Sequence, residues 1–184
     1  MKLRVLACLL TLSPIAPGLS AAPHASAYAG QESREIKSLS LEEVNAYLSG
    51  KGMGLAKAAE LNGYPGPAHV LELASELALT PEQRSRTEAL FASMEAQAKS
   101  LGRALVEEER KLDGLFASNS VQPELLASSL DKIGSLQAKV RGVHLEAHLT
   151  QRQILTPEQN SRYAQLRGYG GSGAHMGHGG QHQH

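Results

Sequence analysis

The chain lacks tryptophan, and its 184 residues include only two phenylalanines and one cysteine. So few aromatic side chains argue against a thick globular core and favour long helices rich in Leu and Ala that pack side by side. The length allows one domain of moderate size. The single cysteine, Cys8, lies in a segment that we expect to be removed, so the mature chain is expected to contain no disulfide and to depend on packing.

An excess of either charge is also missing, since 18 basic residues balance 18 acidic ones. This balance gives no electrostatic footprint for nucleic acid. The sequence contains no cysteine nucleophile beyond Cys8, no Gly-x-Ser-x-Gly motif and no distinctive acid/base pair, so we predict that the protein is not an enzyme.

The N-terminus has the pattern of a secretory signal peptide. Lys2 and Arg4 precede a short apolar run over residues 5–12, and small residues follow. The run is far shorter than the roughly 20 apolar residues of a membrane span. Cleavage is predicted after Ala25-Ser26-Ala27, with Leu19-Ser20-Ala21 as the alternative site. The signal peptide is therefore assigned to residues 1–27. We expect export, with the periplasm as destination and no membrane insertion after cleavage.

The next segment, residues 28–66, is predicted to be loosely ordered and to contain short helices. Ser40-Leu41-Glu42-Glu43 reads as a capping box that starts one of them. The glycines of residues 50–54 indicate a flexible joint, because no strand precedes them as a phosphate-binding loop would require. A second short helix is predicted over residues 55–61.

From residue 67 to residue 167 the apolar pattern is helical throughout, which predicts an all-α fold without strands. Apolar residues recur at steps of four and seven along residues 81–116, and a second stripe runs from Pro123 to about Ile154. The first stripe ends at Phe116, and the second includes Leu130. Residues 107–111 are all charged and are interpreted as a solvated helix face.

One phrase, Leu-Thr-Pro-Glu-Gln, occurs twice and has the chemistry of a helix start. The threonine can cap the helix, the proline suits its first position, and the glutamine three residues on can bond back to the cap. The leucine can act as a hydrophobic staple. The motif residues are Leu79, Thr80, Pro81 and Gln83 in the first copy and Leu155, Thr156, Pro157 and Gln159 in the second.

The spacing of the two copies predicts how the chain folds. Their midpoint is Asn119, inside a short polar break between the two long helical segments. A chain that folds back at this point forms an antiparallel hairpin and brings both motifs to the same end. The motifs are thus predicted to be a matched pair of corners.

Paired corners on a helical chain with a signal peptide resemble the LTxxQ family, which includes the Spy/CpxP periplasmic chaperones and related periplasmic heavy-metal sensor and resistance proteins. The resemblance covers about residues 65–168. It implies a bent helical hairpin, commonly a cradle-shaped homodimer, that binds unfolded or misfolded periplasmic proteins without ATP. It also implies a membrane sensor protein as a further partner. The chain departs from the best chaperone members in lacking a strong basic excess.

Histidines raise the alternative of a divalent-metal binder or sensor. His144 and His148 are one helical turn apart and can share an ion, with His69 and Glu72 as further ligands and Glu146 if the helix is distorted. Metal-sensing relatives place ligands in comparable helical segments, so the resemblance supports the three histidines. Neither the chaperone hypothesis nor the metal-binding hypothesis requires a cofactor. The candidate metals are Zn, Cu, Ni or Co.

The C-terminal residues 168–184 are predicted to be a disordered tail rich in glycine and histidine. Four imidazoles within ten residues can form a weak site for Zn, Cu or Ni, and Met176 adds a preference for copper. The four tail histidines are His175, His178, His182 and His184.

Overall fold

The computed structural model describes residues 26–169, and the chain separates into two units, Met1–Glu32 and Ser33–His184. In the first unit, residues 26–32 form turns. In the second, residues 33–169 contain six helices and no strand. The helices are α1 Leu41–Leu48, α2 Lys57–Glu60, α3 Pro67–Glu72, α4 Pro81–Ala117, α5 Pro123–Ile154 and α6 Pro157–Leu166.

The predicted signal peptide, apart from Ser26 and Ala27, lies outside the described residues, as does the tail from residue 170 onward. Between these limits no helix is both long and apolar enough to cross a bilayer.

The two long helices, α4 and α5, pack against each other and form the hairpin. Residues 118–122 connect them, and Asn119 adopts a positive φ of 52° there, a conformation that asparagine tolerates better than most residues. The all-α prediction and the packing of two long helices are confirmed. The cradle-shaped dimer remains a prediction.

Side-chain caps define where three of the helices start. Ser40, Thr80 and Thr156 each accept a hydrogen bond from the amide three residues later, and the side chain of that residue returns a bond to the cap backbone. Helices α3 to α6 all have proline in the first turn, where a missing N–H does no harm. The sequence motifs thus act as corners through ordinary helix-start chemistry.

The main hydrophobic cluster lies at the corner end of the hairpin, where α3, α5 and α6 meet. Its buried members are Val70, Leu77, Leu155 and Tyr163, and Leu73, Leu79 and Leu166 pack against them. Leu79 and Leu155, the two motif leucines, therefore contribute apolar surface to the same cluster. Burial of such side chains contributes about 1.5–3 kcal/mol each.

Three positions depart from the burial that the sequence pattern predicts. Phe116 and Leu130, expected on the packed side, are 55% and 51% exposed. Phe116 lies in the last turn of α4, and Leu130 lies in the first turns of α5, where a two-helix hairpin offers little to cover them. Glu109, expected on a solvated face, is only 8% exposed, because residues before α1 lie over it.

Residues 33–66 are more closely packed than the loosely ordered segment that the sequence predicts. Ile36 is 2% exposed and Ala46 is 7% exposed. Helix α1 lies against α4 so closely that a Cβ on Gly102 would collide with the backbone of Tyr47. The small side chains at the contact allow the two helices to approach closely. Because these side chains are only weakly hydrophobic, no apolar pattern in the sequence predicts the contact.

Candidate functional site

The two corner motifs meet through their glutamines. Gln83 Nε2 donates to Gln159 Oε1 at 2.8 Å, and Gln159 Nε2 donates to Gln83 Oε1 at 3.0 Å. The side-chain amides thus form a reciprocal pair across the hairpin. The structure thereby places both motifs at one end, as the chain symmetry predicts.

The same two amides also bind backbone carbonyls of the segments that lead into the corners. Gln83 Nε2 donates to the carbonyl of Ile154, and Gln159 Nε2 donates to the carbonyl of Leu77. Each Oε1 in addition accepts from the amide of its own N-cap threonine. A glutamine fits this role because it offers donors and an acceptor on one planar group.

A second polar contact joins the long helices near the corner. Gln151 is fully buried and donates to the Thr87 hydroxyl at 3.2 Å, and that hydroxyl donates to the Gln83 carbonyl at 2.8 Å. The burial of Gln151 and Thr87 could not be predicted from the sequence, because a single polar residue in a helical stripe is interpreted as an exposed position.

Glu60 is the centre of a polar cluster that no sequence motif indicates. Its carboxylate accepts hydrogen bonds from the hydroxyls of Tyr163 at 2.6 Å and Tyr169 at 3.1 Å, and from the amide of Gly66 at 3.2 Å. These contacts tie α2 to α6 and to the residues that follow α6. Burial, followed by the hydrogen bond to Glu60, raises the pKa of the Tyr163 hydroxyl, so this tyrosine stays neutral and donates.

A guanidinium and two imidazoles lie near the same carboxylate at longer distances. Arg167 Nε and His148 Nδ1 lie 3.6 Å from its oxygens, and His69 Nδ1 lies 3.8 Å away. No motif pointed to Glu60, because its partners come from segments up to 109 residues away in the chain. Tyr169, assigned to the tail from the sequence, belongs to this cluster.

The two α5 histidines are buried and have different partners. His148 Nδ1 donates to the carbonyl of Tyr64 at 2.7 Å. His144 is 4% exposed, and its Nε2 has no hydrogen-bond partner among the described residues. Burial, and to a lesser degree the neighbouring His148, lowers the pKa of His144. Both imidazoles are therefore parts of the packed interior.

The candidate metal ligands do not assemble into a metal site within residues 26–169. His69, His144 and His148 line one pocket of about 320 Å³, but Glu72 is exposed on α3. No three His, Cys, Asp or Glu side chains in this part of the chain are arranged to hold a metal ion. The predicted tail ligands lie outside the described residues.

Apolar side chains are exposed at the other end of the hairpin, around the connection between α4 and α5. We call Phe116, Leu125 and Leu130 the tip patch; they are 55%, 45% and 51% exposed. A groove of about 610 Å³ lies between the same helices and is lined by acidic and basic residues, including Glu107, Lys111, Asp131 and Lys132. This end of the hairpin combines uncovered apolar surface with charges of both signs.

Comparison with known proteins identifies the class of protein that this helical hairpin represents. Residues 68–167 match the model of the LTXXQ motif family protein, which covers more than half of the chain. The chain therefore belongs to the LTXXQ motif family, as the repeated motif predicts. No curated protein and no solved structure matches the chain.

Proposed function

We propose that this protein is an exported, periplasmic envelope-stress protein of the Spy/CpxP type. It binds exposed apolar segments of partly unfolded proteins, weakly and without nucleotide. Membership of the LTXXQ motif family and the signal-peptide pattern of the N-terminus support this proposal. Exposed apolar side chains at the tip of the hairpin also support it.

The observation that carries the proposal is the tip patch. Three large apolar side chains stay at least 45% exposed within a short stretch of chain, although the corner end of the same hairpin has a packed core. Clustered apolar exposure of this kind marks interaction surfaces. An unfolded polypeptide offers the matching apolar side chains.

The adjacent groove supports a broad range of clients. Glu107 and Lys111 from α4 face Asp131 and Lys132 from α5 across it. Charges of both signs beside apolar surface resemble the polar rim of a protein interface. Since neither sign dominates, the groove does not select clients by their net charge.

Aggregation of a chemically denatured client protein tests the proposal. The mature chain, added without ATP, is expected to reduce light scattering in proportion to its concentration, with and without Zn²⁺ or Cu²⁺. An inert protein of equal mass serves as the control for crowding. Unchanged scattering at a molar excess of the mature chain would refute chaperone-like binding.

The homodimer is part of the same proposal. A second copy would enlarge the client-binding surface, and sedimentation equilibrium of the mature chain measures the association directly. A monomer at all concentrations would contradict the predicted cradle-shaped dimer while leaving client binding to be judged by the scattering assay. A membrane sensor protein as partner follows from the family resemblance alone.

Divalent-metal binding is the alternative function, and it rests on the tail. Residues 26–169 do not supply three suitable ligands in one place. The tail carries four histidines in ten residues, a composition that binds Zn²⁺, Cu²⁺ or Ni²⁺ without a folded site. This alternative and client binding can coexist in one molecule.

A further inference from the structure

We infer that residues 33–50, here called the cover segment, shield one face of α4 and must move away before that face can bind an unfolded polypeptide. The cover segment includes α1. The inference deepens the proposed function and rests on it, because it names a second, normally hidden part of the client-binding surface. It assigns an autoinhibitory role to the chain that precedes the family-matched residues.

The shielded face of α4 is defined by helical spacing. Ala98, Gly102, Val106, Glu109 and Asp113 follow one another at steps of three or four and therefore lie on one side of the helix. Ala98 and Val106 are 1% and 2% exposed. These side chains would be apolar surface on a bare hairpin, where they would extend the exposed region from the tip towards the middle of α4.

The cover segment lies directly on this face. A Cβ on Gly102 would collide with the backbone of Tyr47, and a Cβ on Gly50 would lie 3.4 Å from that of Ala98. Further along, the backbone amide of Lys37 donates to Asp113 at 3.1 Å. The segment thus follows α4 over about four turns.

Exposed ion pairs hold the outer part of the cover segment. Lys37 Nζ lies 3.1 Å from Asp113, and Arg110 Nε lies 2.8 Å from Glu35. The lysine and Glu35 side chains are 51% and 75% exposed. Ion pairs in water contribute little net stability and weaken as salt rises, so these two pairs add little to an attachment that also buries Ile36.

The buried carboxylate of Glu109 works against the closed arrangement. Glu109 is 8% exposed, and its carboxylate accepts a hydrogen bond from the Ser38 hydroxyl at 2.8 Å. Within residues 26–169 no cation lies within ion-pair distance of it. Burial of a charge without a counter-charge is unfavourable, and departure of the cover segment returns this carboxylate to water.

A joint lies at the end of the cover segment. Gly50, Met53 and Gly54 all have positive φ, at 70°, 44° and 80°. Methionine adopts this conformation only with strain, which a rearrangement would release. The main hydrophobic cluster contains no residue of the cover segment, so opening at this joint leaves the corner end intact.

Gly102→Ala tests release of the cover segment. The new methyl group displaces the backbone of Tyr47, whereas Gly114→Ala, the matched control on the same helix, meets nothing within 4 Å. Both changes favour the α4 helix, so neither is expected to unfold it. Gly102→Ala should increase the fluorescence of an apolar-surface dye and lower the concentration that halves client aggregation by about threefold. The control should match the wild type.

A chemical lock gives the opposite test. Lys37→Cys and Asp113→Cys in the mature chain, joined by a short bismaleimide, hold the cover segment on α4. The same variant with each thiol capped singly by N-ethylmaleimide is the control. Locking should weaken client binding by about tenfold relative to the capped control, because the open form is no longer reached.

The outcomes separate the inference from the proposed function. If the locked and capped proteins suppress aggregation equally, the cover segment is not inhibitory, although client binding stands. If Gly102→Ala raises dye fluorescence but no form suppresses aggregation, the segment is a removable cover but the protein does not bind clients. That result overturns the inhibitory role together with the proposed function. If dye fluorescence and suppression are the same in Gly102→Ala, Gly114→Ala and the wild type, the inference fails.

Discussion

Gln83 and Gln159 hold each other by two side-chain hydrogen bonds of 2.8 and 3.0 Å, across 76 residues of chain. Each glutamine also closes its own capping box and binds a backbone carbonyl of the segment that leads into the other corner. The family motif therefore has a physical meaning beyond two separate helix starts. Its final glutamine joins the two corners to each other.

Replacement of Gln83 should reveal how much this pairing contributes. Gln83→Ala removes the donor to Ile154 and both bonds to Gln159, and leaves partly buried partners unpaired, so we expect a loss of about 2–3 kcal/mol in the free energy of unfolding. Urea unfolding followed by circular dichroism measures it. Gln97→Ala, which loses only exposed bonds within its own helix, should change stability little. Equal effects of the two changes would contradict the role of the pair.

The bond between Tyr163 and Glu60 gives a second matched comparison. Tyr163→Phe removes a 2.6 Å hydrogen bond to a carboxylate and should lower the free energy of unfolding by about 2 kcal/mol. Tyr64→Phe keeps the ring under the Arg152 guanidinium and should be nearly neutral, because no hydrogen bond of the Tyr64 hydroxyl occurs within residues 26–169. Thermal unfolding of both variants distinguishes them. A larger effect at Tyr64 would be the contrary result.

His144 should make stability depend on pH in the acid range. Burial lowers its pKa below the ordinary value of 6.5, so the unfolded chain binds the proton more readily than the folded chain. The contribution of the neutral imidazole is therefore present above pH 6.5 and is lost as the pH falls from 6.5 towards the lowered pKa. Urea unfolding at pH 7.5 and pH 5.5, about one unit on either side of the ordinary pKa, measures the slope.

His144→Leu should reduce that slope without a large loss of stability at pH 7.5, since the imidazole Nε2 has no partner within the described residues. His69→Gln is the control, because its side chain is 39% exposed. A slope that survives His144→Leu unchanged would assign the acid sensitivity to other groups.

Two leucines of α5 test the location of client binding. Leu130 and Leu149 are both 51% exposed, but Leu130 belongs to the tip patch and Leu149 lies near the corner end. Leu130→Ser is expected to raise the concentration that halves client aggregation by about twofold or more, because it removes apolar contact area. Leu149→Ser should have little effect. A larger effect of Leu149→Ser than of Leu130→Ser would indicate that clients bind at the corner end.

Metal binding should depend on the tail. Deletion of residues 170–184 is expected to abolish uptake of Zn²⁺ or Cu²⁺ in calorimetric titration, whereas His144→Ala/His148→Ala should leave it in place, because the described residues supply no three-ligand site. Binding should weaken below about pH 6, where imidazoles become protonated. Uptake that survives the deletion but disappears in the double variant would restore the α5 histidines as ligands.

The helix starts were predictable because they depend on residues close together in the chain. Thr80 and Thr156 precede a proline and a glutamine at fixed offsets, and that local chemistry operates in any context. The packing of residues 33–66 was not predictable, since its contacts use small residues such as Gly102 and Ala46 that give no apolar pattern. The burial of Glu109 was not predictable either. Within a run of five charged residues, nothing local marks the one that another segment covers.

The sequence by itself determined the all-α class, the positions of the corners, and the family. These follow from helical period, capping residues and a repeated motif, which are short-range properties. Only the tertiary structure decided that Glu60 would accept hydrogen bonds from two tyrosine hydroxyls and one backbone amide, that the Nε2 of His144 would be buried with no partner among the described residues, and that a segment would lie over α4. Those results depend on which side chains approach from distant parts of the chain, and on how closely two backbones can come together.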